Sequence, residues 1–251
     1  MKKITLLITA IIIGCTIIEA QDTLYFYKSG KVISKNAIAK IDSITFYKTN
    51  STIHGATVND IDGNIYNTVV IGTQTWTVEN LRTTRLNDGT TIPNVTRQDT
   101  WYATTAMGSC TYNNTLNPDT IKAYGRLYNY ETVNTSKLCP TGWSVPTDYD
   151  WTTLTDYLGG ETTAGGKLRE SGTTHWVSPN SDATNSSVFT ALPGGYRSIY
   201  GFNVIGYYAY WWSSTNVDTY TAMSRDLNES NTVAHNSDGK NNGFSIRCIR
   251  N

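Results

Sequence analysis

The chain has 251 residues, enough for one or two domains with a sizeable hydrophobic core. Its formal net charge is +0 and only 16% of its residues are charged, which argues against a protein that captures nucleic acid electrostatically. Aromatic residues reach 12%, alongside many Thr, Ser and Asn residues. This composition favours short strands and long loops, as in extracellular proteins, over a helical bundle.

Residues 1–20 have the features of a secretory signal peptide. Lys2 and Lys3 precede the apolar run Ile4–Ile18, which is too short to span a membrane comfortably. We therefore expect no transmembrane span and an exported protein, located outside the cell, at its surface or in the periplasm-facing envelope. The alternative is a bacterial lipobox ending at Cys15, which would give a lipid anchor. Because the apolar run continues past Cys15, ordinary cleavage is favoured.

Once Cys15 is removed or modified, the remaining cysteines are Cys110, Cys139 and Cys248. They allow one disulfide and one unpaired thiol, and an exported protein would meet oxidising conditions in which the bond forms. No C-x-x-C spacing supports a structural zinc site. Cys110 has no Lys, Arg or His beside it in sequence to lower its pKa, so an unpaired structural cysteine is favoured there.

After the signal peptide the chain divides into three parts. Residues 22–48 are predicted as a small β-rich leader module, which is too short to hold a core alone. Residues 49–57 are predicted as a polar linker, and residues 58–251 form the main domain.

The main domain opens with Asp60–Tyr66, a segment that partly matches a calcium loop. Position twelve of such a loop would be Ile71 instead of the glutamate that an EF-hand needs. A hairpin turn at Asp62-Gly63 explains the segment better. The three histidines match no metal-binding spacing, with His54 in the linker and His235 in a polar loop.

The clearest local signal is an amphipathic helix over about 147–158. Thr147 is its predicted N-cap, and Asp150 can complete a capping box. Apolar residues then recur on one helix face, namely Trp151, Leu154 and Leu158. The glycines at 159–160 end the helix, and a second short helix is predicted at 164–170. With strands predicted at 207–212, 221–227 and 244–249, the fold class is α+β.

Several motifs occur together and in order along about residues 58–250. They are Asp62–Tyr66, Gln74–Trp76, Glu79–Leu81, Tyr124–Asn129, Cys139–Trp143, Val145–Thr147, Ala191–Arg197, Trp211–Thr215 and Gly243–Cys248. In these residues the chain resembles the Fibrobacter succinogenes major paralogous domain family, exported bacterial proteins that largely lack an assigned function.

That family in turn looks like the C-type lectin-like fold in its formylglycine-generating-enzyme variety. The shared features are the V-P-T-x-x-x-W helix start at Val145–Trp151 and the terminal segment Gly243–Cys248. The resemblance implies short strands and long loops around one main helix. It also implies a disulfide between Cys139 and Cys248.

One candidate binding site is the loop 178–187, which is rich in side-chain oxygens. Asn180, Asp182 and Asn185 can supply the hard oxygen ligands that calcium prefers. The alternative, which the composition favours, is a loop held by hydrogen bonds of Asx turns. The chain also lacks the Glu-Pro-Asn triplet of many sugar-binding lectins, which counts against calcium-dependent sugar binding.

The second candidate is the aromatic run that ends in Tyr210, Trp211 and Trp212. Its rings are able to stack on a sugar or on a protein partner. The alternative is that alternate members of the run belong to the core.

These observations predict an exported, non-catalytic interaction or adhesion module that binds a glycan or a protein at the bacterial cell surface. The alternatives are a structural cell-envelope protein and a divergent formylglycine-generating-like oxidase. No G-x-S-x-G, P-loop or dinucleotide motif supports another enzyme class. The sequence suggests no cofactor other than calcium.

Overall fold

The computed structural model describes residues 23–28, 31–37 and 54–250, with side chains from residue 56 onward. The predicted signal peptide, with Cys15, therefore lies outside the described residues. The chain divides into two compact units, residues 1–50 and 51–251. In the first, strand β1 (Thr23–Lys28) pairs antiparallel with β2 (Lys31–Ala37).

The second unit is α+β. Its helices are α1 (Gln98–Ala103), α2 (Pro118–Tyr124), α3 (Tyr130–Val133), α4 (Asp148–Tyr157) and α5 (Glu161–Leu168). Its strands are β3 (His54–Asn59), β4 (Ile65–Ile71), β5 (Gln74–Thr77), β6 (Ser109–Cys110), β7 (Leu127–Tyr128), β8 (Tyr196–Ser198), β9 (Gly201–Asn203), β10 (Ala209–Asn216), β11 (Thr221–Leu227), β12 (Val233–Gly239) and β13 (Ile249–Arg250). Among the described residues, no helix combines the length and apolar character needed to cross a membrane.

Two antiparallel sheets organise this unit. One has the strand order β13-β5-β4-β3, so that the end of the chain pairs with a strand near the start of the domain. The other has the order β10-β11-β12. The segment 243–245 lies against several elements, because Phe244 bridges to Tyr128 and Ser245 bridges to Trp211. The C-terminal segment thereby connects the main layers of the domain.

Helix α4 confirms the predicted helix and its start. The Thr147 hydroxyl accepts a hydrogen bond from the Asp150 backbone N–H at 3.1 Å, and the Asp150 carboxylate accepts one from the Thr147 N–H at 2.8 Å. This is a complete capping box, which satisfies backbone donors that a helix start leaves unpaired. The predicted apolar face is buried, with Leu154 fully inaccessible to solvent.

We expect the replacement Thr147→Ala to lower the free energy of unfolding by about 1 kcal/mol, because an N-cap hydroxyl is lost. Thr153→Ala is the matched control, since the Thr153 hydroxyl only donates to the Tyr149 carbonyl on the exposed side of the helix. Urea denaturation followed by circular dichroism measures both variants. Equal losses in the two variants would contradict the role of the cap.

The core beneath α4 is aromatic. The ring centroids of Trp76 and Trp151 are 4.9 Å apart, and those of Trp151 and Trp211 are 5.7 Å apart. Phe189 packs edge-on against all three tryptophans within 6.0 Å. Such contacts bury large apolar areas and fix the helix against both sheets.

The disulfide joins Cys139 to Cys248, with a Cα–Cα distance of 5.9 Å and a sequence separation of 109. This confirms the pairing that the family resemblance implied. Cys248 lies just before β13, and Cys139 lies ahead of α4, so the bond ties the last strand to the segment that leads into the main helix.

Arg247 is a buried cation that holds loops through their backbone. Only 1% of it is exposed, and burial lowers the pKa of its guanidinium to about 9. It donates to the Asn80 side-chain oxygen at 2.7 Å, and to the carbonyls of Thr77, Phe189 and Thr190 at 3.0, 2.8 and 2.9 Å.

Arg197 is fully buried in the same way, and its guanidinium donates to the carbonyls of Val95 at 2.5 Å and Thr96 at 3.0 Å. Its planar group also lies 4.5 Å from the ring centroid of Trp101. Buried backbone carbonyls need hydrogen-bond donors, and arginine supplies several from one side chain. Long, irregular loops are thereby fixed to the core.

Several predicted boundaries were wrong. β3 begins at His54, inside the range assigned to the linker, and α5 begins at Glu161 instead of residue 164. His235 lies in β12 and not in a loop, because this polar strand forms the exposed edge of its sheet. The strand predicted at 244–249 is continuous only at Ile249–Arg250, since the preceding residues form isolated bridges to different neighbours.

Candidate functional site

The strongest candidate site lies on one face of the sheet β10-β11-β12. Side chains directly opposite each other in an antiparallel sheet point to the same face. The register places Tyr210 opposite Asp226 and Ser224 opposite Asn236. Asp238 lies two residues beyond Asn236 in β12, on the same sheet face. Together with Tyr208, which stacks on Tyr210, they form what we call the aromatic–acidic face: Tyr208, Tyr210, Ser224, Asp226, Asn236 and Asp238.

The opposite face of this sheet is closed by helices. There the fully buried side chain of Arg225 donates to the Asp148 carboxylate at 2.8 Å and to the Glu161 carboxylate at 2.6 Å. His235, opposite Arg225 in the register, lies 3.1 Å from the same Asp148 carboxylate. Charges on this side are therefore neutralised within the fold.

The aromatic part of the aromatic–acidic face is a ladder of rings. Tyr210 stacks on Phe244 at 5.1 Å and on Tyr208 at 5.8 Å between centroids, with interplanar angles of 23° and 20°. Tyr196 meets Tyr210 at 4.8 Å. Phe244 is buried, whereas the three tyrosines are half-buried and keep part of their surface in solvent. A rigid aromatic surface is thus held at the edge of the core.

The acidic part is a pair of interacting carboxylates. Asp226 is 8% exposed and accepts a hydrogen bond from the Asn236 side-chain amide, while Asp238 accepts one from the Ser224 hydroxyl at 2.5 Å. Burial, and secondly the charge of Asp238, raise the pKa of Asp226 to about 6. A buried carboxyl with a raised pKa destabilises the fold at neutral pH, and such groups concentrate at functional sites.

We expect Asp226→Asn to stabilise the domain by about 2–3 kcal/mol at neutral pH. The folded chain holds the proton of Asp226 more tightly than the unfolded chain, with a pKa of about 6 against 3.8. The contribution of this proton to the free energy of unfolding is therefore fully present below about pH 4 and is lost as the pH rises through about 6. Asparagine keeps an oxygen for the Asn236 amide and carries no charge.

Urea denaturation of the wild type and of Asp226→Asn at about pH 4 and pH 7.5 tests this expectation. The two proteins should differ less at the lower pH, where the wild-type carboxyl is largely protonated. A variant that is less stable than the wild type at neutral pH would show that Asp226 is a structural group.

The structure corrects two of the predicted aromatic site residues. Trp211 and Trp212 are 1% and 0% exposed, so neither ring can stack on a ligand. Their indole N–H groups donate within the core, to the Asn80 side chain at 3.0 Å and to the Tyr128 carbonyl at 2.8 Å. Adjacent residues of β10 point to opposite faces, and both faces are covered at this position. Tyr210 is the member of the predicted set that reaches solvent.

The predicted oxygen-rich loop is held mainly by hydrogen bonds to neighbouring segments of the chain. Asn180 is 7% exposed, and its amide N–H groups donate to two backbone carbonyls at 2.7 and 2.8 Å. Asn185 exchanges hydrogen bonds with the backbone and the hydroxyl of Thr190 at 2.9 and 3.0 Å. Asp182 is exposed. Within the described part of the chain, no group of three or more His, Cys, Asp or Glu residues is arranged to hold a metal ion. A calcium site here stays a prediction.

Two other features of the domain, a cysteine and a cavity, are weaker candidates for a functional site. Cys110 is fully buried, and burial raises the pKa of its thiol even though Arg197 lies beside it, which favours an inert structural cysteine. A cavity of about 290 Å³ is lined by Asn59, Asp60, Ile61, Asn87, Pro140 and Thr141. The Asp60 carboxylate there is occupied by hydrogen bonds from Tyr66 at 2.6 Å and from the turn before β4, as expected for a hairpin.

Sequence reasoning missed the acidic half of the aromatic–acidic face. A usable signal exists, because Ser224 and Asp226, like Asn236 and Asp238, are two positions apart and therefore share a strand face. That the two pairs lie side by side depends on the register of β11 and β12.

Comparison with known proteins gives one result. No curated protein and no solved structure matches the chain. The model of the family described as Fibrobacter succinogenes major domain matches residues 69–250. That range contains α1 to α5, the disulfide and the whole aromatic–acidic face. The chain therefore belongs to the Fibrobacter succinogenes major domain family.

Proposed function

We propose that this protein is an exported binding module that recognises a glycan through its aromatic–acidic face. The observation that carries the proposal is the position of half-exposed tyrosine rings beside carboxylate, amide and hydroxyl groups on one sheet face. A sugar ring has apolar C–H surfaces that pack on an aromatic ring, and hydroxyl groups that hydrogen-bond to Asp and Asn. The face combines both requirements.

Two further parts of the proposal concern fold type and location. A C-type lectin-like fold is supported by the capped helix α4 and by the disulfide between its leading segment and the last strand. The disulfide also supports export, because such bonds persist in oxidising compartments. We propose a location outside the cytoplasm, with either free secretion or a lipid anchor at Cys15.

A glycan array probed with the purified full chain, with and without calcium, tests the binding proposal. Tyr208→Ser and Asn236→Ala should each weaken binding by about tenfold or more, since each removes a ligand-facing group. The matched control is Tyr200→Ser, because Tyr200 is 90% exposed in the turn between β8 and β9. This control should bind like the wild type.

Silence of the wild type on every glycan would overturn the glycan form of the proposal and leave a surface protein as the ligand. Binding that requires calcium, and that Asp182→Asn abolishes while Asn236→Ala does not, would move the site to the loop 178–187. Equal binding by Tyr208→Ser and the wild type would place the site elsewhere.

A further inference from the structure

Among the described residues, the carboxylates of the aromatic–acidic face have no basic side chain paired with them, unlike three other partly buried carboxylates of the domain. Asp62 lies 2.6 Å from Arg85, Asp148 lies 2.8 Å from Arg225, and Glu170 lies 2.9 Å from His175. In the part of the chain that the structure describes, no ion pair involves Asp226 or Asp238.

Two basic residues on and beside the strands of this sheet, Arg225 and Lys240, are directed elsewhere. Arg225 adjoins Asp226 in sequence but lies on the opposite sheet face, in its ion pairs with α4 and α5. Lys240, just after β12, donates to the Asp218 carbonyl at 2.6 Å and lies 5.4 Å from the ring centroid of Tyr130. The groups that do face Asp226 are Asp238, the Asn236 amide and the ring of Tyr210.

The tyrosine ladder adds a second attraction for positive charge. The face of an aromatic ring attracts a cation electrostatically, and the attraction grows where water is partly excluded. Tyr210 stands opposite Asp226 in the register, so the ladder and the acidic pair adjoin. Because Tyr210 stacks on Phe244 and on Tyr208, half-buried Tyr208 is the end ring of this stack. An ammonium group placed there would meet a ring and two carboxylates together.

Resting on the proposed function, we propose that the glycan bound by the aromatic–acidic face is cationic, an oligosaccharide whose amino sugars carry positively charged nitrogen instead of acetamide. The charged nitrogen would bind beside the acidic pair, and the sugar hydroxyls would meet the Asn236 amide. Asn236 is exposed and accessible to such a ligand. Charge neutralisation by the ligand would take the place of the cation that the fold does not supply.

The raised pKa of Asp226 supports this inference. A cation bound beside a carboxylate lowers its pKa, so ligand binding would release the proton that Asp226 holds near pH 6. By the same linkage, binding should weaken as the pH falls below about 6, where Asp226 is protonated in the free protein.

The test compares two β-1,4-linked glucosamine oligosaccharides of equal length by calorimetry with the full chain. In one the nitrogens are trimethylated and carry a permanent charge, and in the other they are acetylated and neutral. At about pH 7.5 the charged ligand should bind at least about tenfold more tightly. Because its charge does not change with pH, weaker binding at about pH 5 would report the protein groups alone.

Asp226→Asn and Asp238→Asn should each reduce the preference for the charged oligosaccharide over the neutral one. Asp156→Asn on α4 is the matched control, since Asp156 is exposed and the change in net charge is the same. Asp226→Asn is expected to be more stable than the wild type, so a loss of binding would not reflect unfolding.

Equal affinity for the two oligosaccharides would overturn the inference and leave the proposed glycan function intact. Tighter binding of a lysine oligopeptide than of the charged oligosaccharide, with the same dependence on Asp226, would also overturn it in favour of a basic protein segment. Failure of both oligosaccharides, together with a silent glycan array, would overturn the proposed function itself.

Discussion

Replacing Arg247 with methionine is expected to lower the free energy of unfolding by about 3–5 kcal/mol. Methionine retains much of the aliphatic volume but none of the donors. The Asn80 oxygen and the carbonyls of Thr77, Phe189 and Thr190 would each lose a hydrogen bond from Arg247 in a site closed to water. Unpaired buried acceptors are among the most destabilising local defects in a protein.

Guanidinium chloride denaturation, followed by tryptophan fluorescence, measures this loss. Arg250→Met is the matched control, because Arg250 lies three residues further on, is exposed, and only approaches the Trp143 ring at 5.2 Å. We expect a loss below about 1 kcal/mol for this control. A similar small loss for Arg247→Met would show that water replaces its hydrogen bonds.

Removing the disulfide by the double replacement Cys139→Ala and Cys248→Ala should cost about 4 kcal/mol of stability. The bond closes a loop with a sequence separation of 109, and the unfolded chain without it gains a large number of conformations. The loss should also appear as a wider unfolding transition if the last strand β13 detaches before the rest of the domain.

Cys110→Ala is the control for this measurement, since it removes a buried sulfur and leaves the disulfide intact. We expect it to lower stability by about 1 kcal/mol. A double variant no less stable than Cys110→Ala would contradict the role given to the bond. Mass spectrometry of a non-reduced digest should recover Cys139 and Cys248 in one linked peptide pair.

The start of α4 is predictable from sequence because its signals are local. Thr147, Asp150 and the glycines after the helix lie within a few turns of one another, and the capping hydrogen bonds join residues three apart. The family motif also sufficed to predict the disulfide between Cys139 and Cys248. The residues themselves carry the information for the helix start, whereas the disulfide pairing came from the family resemblance, since three cysteines alone leave it open.

The residues of the aromatic–acidic face, by contrast, are far apart in sequence. Asp226 and Asp238 are twelve residues apart in sequence, and they become neighbours only through the register of β11 and β12. β12 itself escapes prediction, because an exposed edge strand with His235 and Asn236 shows no apolar alternation. Likewise, the alternation along β10 correctly predicts that Trp211 and Trp212 point to opposite faces of the sheet. Only the packed fold shows that both side chains are buried.

The buried arginines have a consequence for how this domain can vary. Arg247 holds residues 189–190, and Arg197 holds residues 95–96, through hydrogen bonds to main-chain oxygens. Every amino acid carries the same carbonyl group. An exposed side chain such as that of Thr96 can therefore be exchanged while the anchor and the path of the backbone stay the same, whereas Phe189 and Val95 are fixed by the core.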